Sequence, residues 1–270
     1  APALPSLQTL LLFNEASGTT AADSTINARH GTLVGGPTRV TGKGGNAVDL
    51  DGTNDHVSLP TGVVSSLIDF TISTSLNLDA TSGWSRFFGF GSSATRNMFL
   101  TPSNGATGTV RFAITTSGGG GEQQINGTSA LPTGVWTHVA VTVAGNLGIL
   151  YVNGVEVGRN ESLTLTAMSL GATTQNWIGR SQYPDPYLDG RVDDFRIYGN
   201  ALAPSDVLAL FNGTAGALAV PWASQDIGSV GLPGSSGSPG LPGNMGSPGD
   251  DIYVTASGGD IWGWSDEFHY

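Results

Sequence analysis

The chain has 270 residues and 39% hydrophobic content, enough for one large all-β domain or two smaller domains with a core. Its net charge of −11 argues against binding to nucleic acid or to an anionic membrane surface, because both favour basic partners. Cysteine is absent, which excludes disulfides, thiol catalysis and zinc–thiolate sites. No apolar run reaches the ~18 residues that would predict a membrane span.

The first residues, Ala1 to Pro5, are typical of a mature chain that begins just after a cleaved export signal. A low lysine content and abundant Thr, Ser, Gly and Asn also fit an exported protein. We therefore expect a secreted, extracellular location.

Short apolar or alternating segments separated by turn residues predict about a dozen strands. In chain order these segments are 7–13, 32–34, 47–50, 56–59, 70–78, 86–90, 109–114, 136–143, 148–152, 176–179 and 187–198. Asn153-Gly154, between Val152 and Val155, predicts a two-residue hairpin turn, because a type I′ turn needs positive φ at both central residues.

One helix is predicted, at 204–211. Pro204 suits the first helical position, and Asp206 complements the positive end of the helix dipole. Many short strands and a single short helix predict an all-β fold, which we interpret as a two-sheet antiparallel sandwich.

The strand at 187–198 contains two adjacent aspartates. Side chains alternate between the two faces of a strand, so the two aspartates are predicted to lie on opposite faces. One face would carry Asp193 with the apolar Phe195 and Ile197. The other face would carry Val192, Asp194, Arg196 and Tyr198. A carboxylate buried alone costs several kcal/mol, so it needs a cation, a set of N–H donors or a bulge that turns it outward. Of these three we expect the cation.

Five segments, in order, resemble the laminin-G-like, concanavalin A-like jelly-roll domains: 13–23, 48–57, 136–140, 151–154 and 189–198. The resemblance covers roughly residues 5–217 and implies a jelly-roll sandwich, here assigned to residues 1–217. Such domains are common as accessory modules of secreted polysaccharide-degrading enzymes. One departure is Ala203, where relatives often have a serine that caps the helix.

The resemblance also implies a structural calcium ion and neighbouring first and last strands. Calcium takes six to eight oxygen ligands from carboxylates and carbonyls. If those strands are neighbours, an oxygen-rich early loop and the acidic pair would supply the expected ligands, namely Glu15, Asp23, Asn27, Asp193 and Asp194. The alternative, left open above all for Glu15 and Asn27, is that these are ordinary turn and surface residues.

Carbohydrate binding is predicted from aromatic and polar residues in turns, because sugars stack their C–H faces on aromatic rings and pair their hydroxyls with polar groups. The candidates are Trp84, Arg96, Asn97, Trp177, Arg180, Tyr183 and Tyr187. Trp177 can also be interpreted as a core residue, because it is next to an apolar residue of a predicted strand.

No catalytic residues are predicted. Retaining glucanases place two carboxylates about 5–5.5 Å apart, and no glutamate here lies in the alternating arrangement that would do so. His138 lies in an alternating apolar strand and is interpreted as a packed residue at the edge of the core.

The tail divides into two further segments. Residues 218–249 form a Gly/Pro-rich, collagen-like linker, with glycine at every third position from 228 to 249. We expect an extended linker rather than a short trimerising stem. Residues 250–270 resemble the start of a second, truncated β domain, which would make this chain a fragment of a multidomain protein.

These observations predict a calcium-stabilised, non-catalytic carbohydrate-binding module of a secreted polysaccharide-degrading enzyme. Its partners would be a polysaccharide or oligosaccharide and a catalytic domain in the same parent chain, with a monomer favoured over a trimer. The alternatives are an adhesion or assembly module of a surface or fibre protein, and a polysaccharide lyase or hydrolase.

Overall fold

The computed structural model describes residues 6–214, which form sixteen β-strands, one α-helix and two short 3₁₀ helices. The strands are β1 (Leu7–Leu11), β2 (Thr20–Ala21), β3 (Gly31–Val34), β4 (Thr38–Thr41), β5 (Asn46–Asp51), β6 (His56–Ser58), β7 (Phe70–Leu78), β8 (Phe88–Gly91), β9 (Asn97–Thr101), β10 (Arg111–Thr115), β11 (Gln123–Asn126), β12 (Thr137–Ala144), β13 (Leu147–Val152), β14 (Val155–Asn160), β15 (Gln175–Ile178) and β16 (Asp189–Tyr198). The helices are α1 (Pro204–Asn212) and the 3₁₀ segments Gly119–Gly121 and Ala167–Leu170.

Four predictions concern residues outside this range: the start of a mature chain at 1–5, the end of the first domain at 215–217, the linker at 218–249 and the second domain at 250–270. Within residues 6–214, no helix has the length and apolar character that crossing a membrane requires.

The strands form two antiparallel sheets of eight strands each. The first sheet has the order β14-β13-β12-β7-β16-β5-β4, and β1 joins it by pairing with β16. The second sheet has the order β11-β10-β9-β8-β15-β6-β3-β2. The predicted all-β, two-sheet antiparallel jelly-roll sandwich with one short helix is confirmed.

The main core fills the space between the two sheets. Phe195 of the first sheet packs against Phe90 and Phe88 of the second, with ring centres 6.2 Å and 6.5 Å apart. Phe70 and Phe112 meet in the same way at 6.4 Å. Each of these side chains is at least 99% buried, so the two inner faces form one continuous apolar layer.

A β-bulge in β16 decides where its acidic pair points. Asp193 pairs with Ser75 and Arg196 with Ser73, so three steps along β16 oppose two along β7. The extra residue is Asp194, which has a φ of 55°. The bulge leaves Phe195 in the core and turns Asp193 to the outer face. The face assignment made from a strict period of two was therefore wrong, because a bulge shifts the alternation by one residue.

The predicted hairpin and helix are both confirmed. β13 ends at Val152 and β14 begins at Val155, and the intervening Asn153 and Gly154 have φ values of 50° and 78°. The helix α1 packs on the outer face of the first sheet through Val207 and Leu210, whose apolar partners are Ala140, Tyr151, Tyr198 and Leu202. Ala203 makes no side-chain cap, as its residue type predicts.

Candidate functional site

The loop between β15 and β16 lies over the outer face of the second sheet. Its ends are joined by a hydrogen bond of 3.0 Å from the Leu188 N–H to the Gly179 carbonyl, so residues 180–187 form a closed surface loop. The loop rests on Gly89 of β8. A Cβ atom at Gly89 would lie 2.8 Å from Gln182 Oε1 and 2.9 Å from the Arg180 carbonyl, so the close approach depends on glycine.

A cavity of about 330 Å³ opens beside this loop. It is lined by residues from β15 and from the loop, namely Gln175, Trp177, Arg180, Ser181, Gln182, Tyr183, Pro184, Asp185 and Tyr187. The volume is at the lower end of the roughly 300–1,000 Å³ common for small-ligand sites. Three aromatic rings and several hydrogen-bonding groups therefore converge on one concave surface.

The Arg180 guanidinium lies over two of the aromatic rings, 4.3 Å from the ring centre of Trp177 and 5.9 Å from that of Tyr187. Its Nη1 is 3.4 Å from His56 Nε2. His56 Nδ1 lies 3.0 Å from the Asn54 carbonyl, which can only accept, so we assign the proton to Nδ1 and the acceptor role to Nε2. Burial lowers the pKa of His56, which favours this neutral form.

A buried arginine ties the loop to the sheet. Arg86 Nη2 donates to Asp185 Oδ2 at 3.0 Å, and the Ser181 hydroxyl donates to the same oxygen at 2.7 Å. The Arg86 guanidinium also stacks on Phe99, 3.7 Å from its ring centre. Burial lowers the pKa of Arg86 to about 10, while the Asp185 carboxylate opposes that shift. The Asp185 charge is thus already paired.

The structure brings together four of the seven residues predicted to bind carbohydrate, because the following residues all line the cavity: Trp177, Arg180, Tyr183 and Tyr187. Tyr183 is held in place by its hydroxyl, which donates to the Ala94 carbonyl at 2.7 Å. Trp177 is half-buried with one ring face on Arg180, so it lies at the boundary between the sheet and the cavity and outside the core.

The other three predicted residues lie outside the cavity. Trp84 is half-buried, and the Arg86 guanidinium lies 5.5 Å from its ring centre. Arg96 is exposed, and its Nη1 donates to the Ser169 carbonyl at 3.4 Å. Asn97 is fully buried, and its amide donates to two backbone carbonyls of the preceding turn, at 2.8 Å and 3.2 Å. Asn97 therefore stabilises a turn in this structure.

Sequence reasoning missed His56 and Asp185. A signal for Asp185 was present, because it lies between two prolines in a connection between two predicted strands, and such loops often carry binding residues. His56 had no comparable signal. It reaches the site only because β6 pairs with β15, which places it beside Trp177 with ring centres 6.3 Å apart.

The residues predicted to bind calcium are held by other partners. Asp23 Oδ1 accepts from the Leu10 and Thr25 N–H groups at 2.9 Å and 3.0 Å. Its Oδ2 accepts from the Arg29 N–H at 2.8 Å and from the Thr25 hydroxyl at 3.0 Å. Asp193 Oδ2 accepts from the Lys43 N–H at 2.9 Å and the Gly44 N–H at 3.1 Å. From the sequence we expected a cation to compensate the buried Asp193 carboxylate. In the structure the β-bulge turns the carboxylate to the outer face, and two backbone N–H groups bind it.

The remaining three also have partners. Asp194 forms an ion pair of 2.7 Å with Arg196, and Glu15 forms one of 2.9 Å with Arg39. The Asn27 amide donates to the Gln8 carbonyl at 2.9 Å.

As arranged here, these five residues do not fit a calcium ion. The neighbouring first and last strands implied by the resemblance are present, because β1 pairs with β16. Within residues 6–214, however, no group of three or more His, Asp or Glu side chains is arranged to hold a metal ion. The expected calcium stays a prediction, and we assign it no ligands.

The two-sheet antiparallel jelly roll is the architecture that lectin domains share. The chain belongs to the concanavalin A-like lectin/glucanases superfamily, whose family model matches residues 51–208. No curated protein sequence matches the chain.

Solved structures with the same fold include domain 4 of AbnA, a GH43 extracellular arabinanase from Geobacillus stearothermophilus, in complex with arabinotriose. This domain is 27% identical to the chain, with a TM-score of 0.66 and coverage of 77% of this chain and 99% of that one. The binding domain of botulinum neurotoxin serotype D/C VPI 5993 is 13% identical, with a TM-score of 0.60 and coverage of 77% and 52%. A Trypanosoma rangeli sialidase is 18% identical, with a TM-score of 0.58 and coverage of 78% and 34%.

Proposed function

We propose that this domain is a non-catalytic carbohydrate-binding module that holds an oligosaccharide, or a short stretch of a polysaccharide, in the cavity beside the 180–187 loop. The observation that carries the proposal is the convergence of Trp177, Tyr183 and Tyr187 with polar groups on that cavity. The arabinotriose complex of the 27% identical arabinanase domain supports the same class of ligand.

The chemistry of the cavity suits a sugar. A pyranose or furanose ring has apolar C–H faces that pack on aromatic side chains, and hydroxyls at its rim that exchange hydrogen bonds. Tyr183 and Tyr187 are half-buried and supply aromatic surface. Gln175 and Arg180 supply donors and acceptors at its margin.

A non-catalytic role is supported by the carboxylates of the cavity. Glycoside hydrolysis commonly needs two of them, one free to give a proton and one to act as base or nucleophile. Asp185 is the single carboxylate among the lining residues, and it is bound by Arg86 and Ser181. The cavity therefore offers binding groups without an acid–base pair.

A tethering role completes the proposal. We place the domain in a secreted protein, next to a catalytic domain of the same parent chain, where it would raise the local concentration of substrate. The extracellular arabinanase that contains the similar domain supports this arrangement. Calcium is not part of the proposed binding mechanism.

The test is isothermal titration of the full chain with arabinotriose and a panel of oligosaccharides selected on a glycan array. We expect Tyr187→Ala to weaken binding by at least tenfold, which corresponds to about 1.4 kcal/mol. Trp136→Ala is the matched control, because Trp136 is a half-buried aromatic residue outside the cavity. Failure of the wild-type chain to bind any glycan would overturn the proposal.

A second function is favoured by the glycine repeat at 228–249, because glycine at every third position is the Gly-X-Y repeat of a collagen triple helix. In that case the domain would be displayed as a trimer on a surface or fibre. Light scattering of the full chain separates the two, since a monomer supports the linker and a trimer supports the stem.

A further inference from the structure

Arg180 differs from the other cationic residues of the chain in what it binds. The chain has 10 Lys and Arg residues, and all of them lie within residues 6–214. Six form ion pairs with carboxylates, namely Arg39, Arg86, Arg111, Arg159, Arg191 and Arg196. Three donate to backbone carbonyls, namely Arg29, Lys43 and Arg96. Arg180 does neither among the described residues, and its one bond there is to a histidine nitrogen.

This bond leaves the charge of Arg180 uncompensated. His56 is neutral in the tautomer assigned above, because its Nδ1 faces the Asn54 carbonyl and its Nε2 accepts from Arg180. The only carboxylate of the cavity, Asp185, is occupied by the buried Arg86. A half-buried guanidinium thus faces the cavity without an anion, although the chain as a whole carries a net charge of −11.

The position of Arg180 also limits how a sugar can bind. The guanidinium lies 4.3 Å from the ring centre of Trp177, so one face of that ring is occupied by Arg180 and is not free to stack on a sugar. Arg180 also lines the cavity, so a ligand bound there can contact its N–H groups. The planar guanidinium presents a fork of donors that matches a carboxylate, and such charge-assisted pairs are roughly twice as strong as neutral hydrogen bonds.

We propose that the cavity selects a sugar that carries a carboxylate, such as a uronic acid or a nonulosonic acid, and that Arg180 is the residue that recognises this group. The inference rests on the proposed carbohydrate-binding function and adds the class of sugar. The rings of Tyr183 and Tyr187 then contact the body of the sugar, and the aromatic support beneath Arg180 holds its donors toward the ligand.

The test is isothermal titration of the full chain with matched acidic and neutral ligands. One pair is trigalacturonate and its methyl ester, and the other is sialyllactose and its methyl ester; arabinotriose is the neutral pentose reference. We expect at least one acid to bind about tenfold more tightly than its neutral partner, the effect of one added charge-assisted pair, and added salt to reduce the difference. The pair that shows the difference identifies the source of the carboxylate.

Two variants locate the effect. Arg180→Gln should abolish the preference for the acid without lowering the melting temperature by more than Arg96→Gln does, since Arg96 is the matched cation outside the cavity. Arg180→Lys, which keeps the charge but loses the planar fork, should retain part of the preference. A preference that survives in Arg180→Gln would overturn the assignment.

The outcomes separate the two proposals. Equal affinity of the wild-type chain for acid and neutral partner, or tighter binding of arabinotriose than of either acid, would overturn the acidic preference and leave carbohydrate binding in place. No binding of any of these ligands, together with a blank glycan array, would overturn the proposed function itself.

Discussion

Arg86 and Asp185 join the second sheet to the loop that borders its cavity, through a bond of 3.0 Å between Nη2 and Oδ2. The two residues are 99 positions apart in the chain, and the Arg86 side chain is only 3% exposed. Because a buried guanidinium requires a charge partner, the sheet determines where the loop can lie. The cavity is therefore shaped by a long-range ion pair as well as by its own residues.

The first prediction concerns this pair. Asp185→Asn removes the charge that compensates Arg86 and should lower the free energy of unfolding by about 1–3 kcal/mol, the usual cost of an unsatisfied buried polar group. Urea denaturation followed by tryptophan fluorescence measures it. The control is Glu161→Gln, whose ion pair with Arg159 is exposed and should contribute at most about 1 kcal/mol. Equal effects of the two changes would show that burial does not strengthen the Arg86 pair.

The second prediction concerns the contact between the loop and Gly89. Gly89→Ala places a methyl group within 3.0 Å of Gln182 and of the Arg180 carbonyl, so the loop must move away from the sheet. We expect a loss of about 1–3 kcal/mol in stability, typical of overpacking, together with weaker ligand binding. Gly83→Ala is the control, because its added methyl would meet Gly105 at 3.5 Å, an ordinary contact. Unchanged binding in Gly89→Ala would mean that the ligand does not depend on the loop position.

The third prediction concerns the buried carboxylate of Asp193. Burial raises its pKa to about 6, although the N–H groups of Lys43 and Gly44 oppose the shift. In the unfolded chain an aspartate has a pKa of about 3.9, so between pH 4 and pH 6 the folded state binds more protons than the unfolded state. The contribution of Asp193 to stability is therefore greatest below pH 4 and falls as the pH rises through about 6.

This contribution is isolated by comparing the wild type with Asp193→Asn by urea denaturation from pH 4 to pH 7. The wild type should lose about 1–3 kcal/mol relative to the variant over this range, and the comparison cancels other titrating groups such as His138. Asp69→Asn is the control, because Asp69 is exposed and is not among the groups that act on Asp193. A difference between wild type and Asp193→Asn that does not change with pH would contradict the raised pKa.

The fourth prediction concerns calcium. Four of the five residues expected as ligands accept from protein donors, and the Asn27 amide donates to the Gln8 carbonyl. We therefore expect any difference in melting temperature between EDTA and excess calcium chloride to be the same in the wild type and in Asn27→Ala. Differential scanning calorimetry in the two buffers provides the measurement. A difference that Asn27→Ala abolishes would contradict this expectation, whereas a lower melting temperature in EDTA, reversed by calcium in both proteins, would show that another set of oxygens binds the ion.

Much of the fold could be predicted from local patterns. The strand at 70–78, the Asn153-Gly154 hairpin and the helix beginning at Pro204 follow from alternation, turn chemistry and helix-start preference, each of which acts over a few residues. Four of the cavity residues could be predicted for a similar reason, because aromatic and charged side chains clustered in a loop and at the end of the strand before it are typical of a binding surface.

By itself the sequence determined the fold class, the helix and the loop that lines the cavity, because residue type and spacing act locally. Only the tertiary structure decided the surroundings of Asp193, Asp185 and His56. The bulge in β16 reversed the face of Asp193, burial of Arg86 determined the partner of Asp185, and strand pairing brought His56 to Trp177. Each of these outcomes depends on residues that meet across the sheets far from one another in sequence, and no local pattern records which of them will meet.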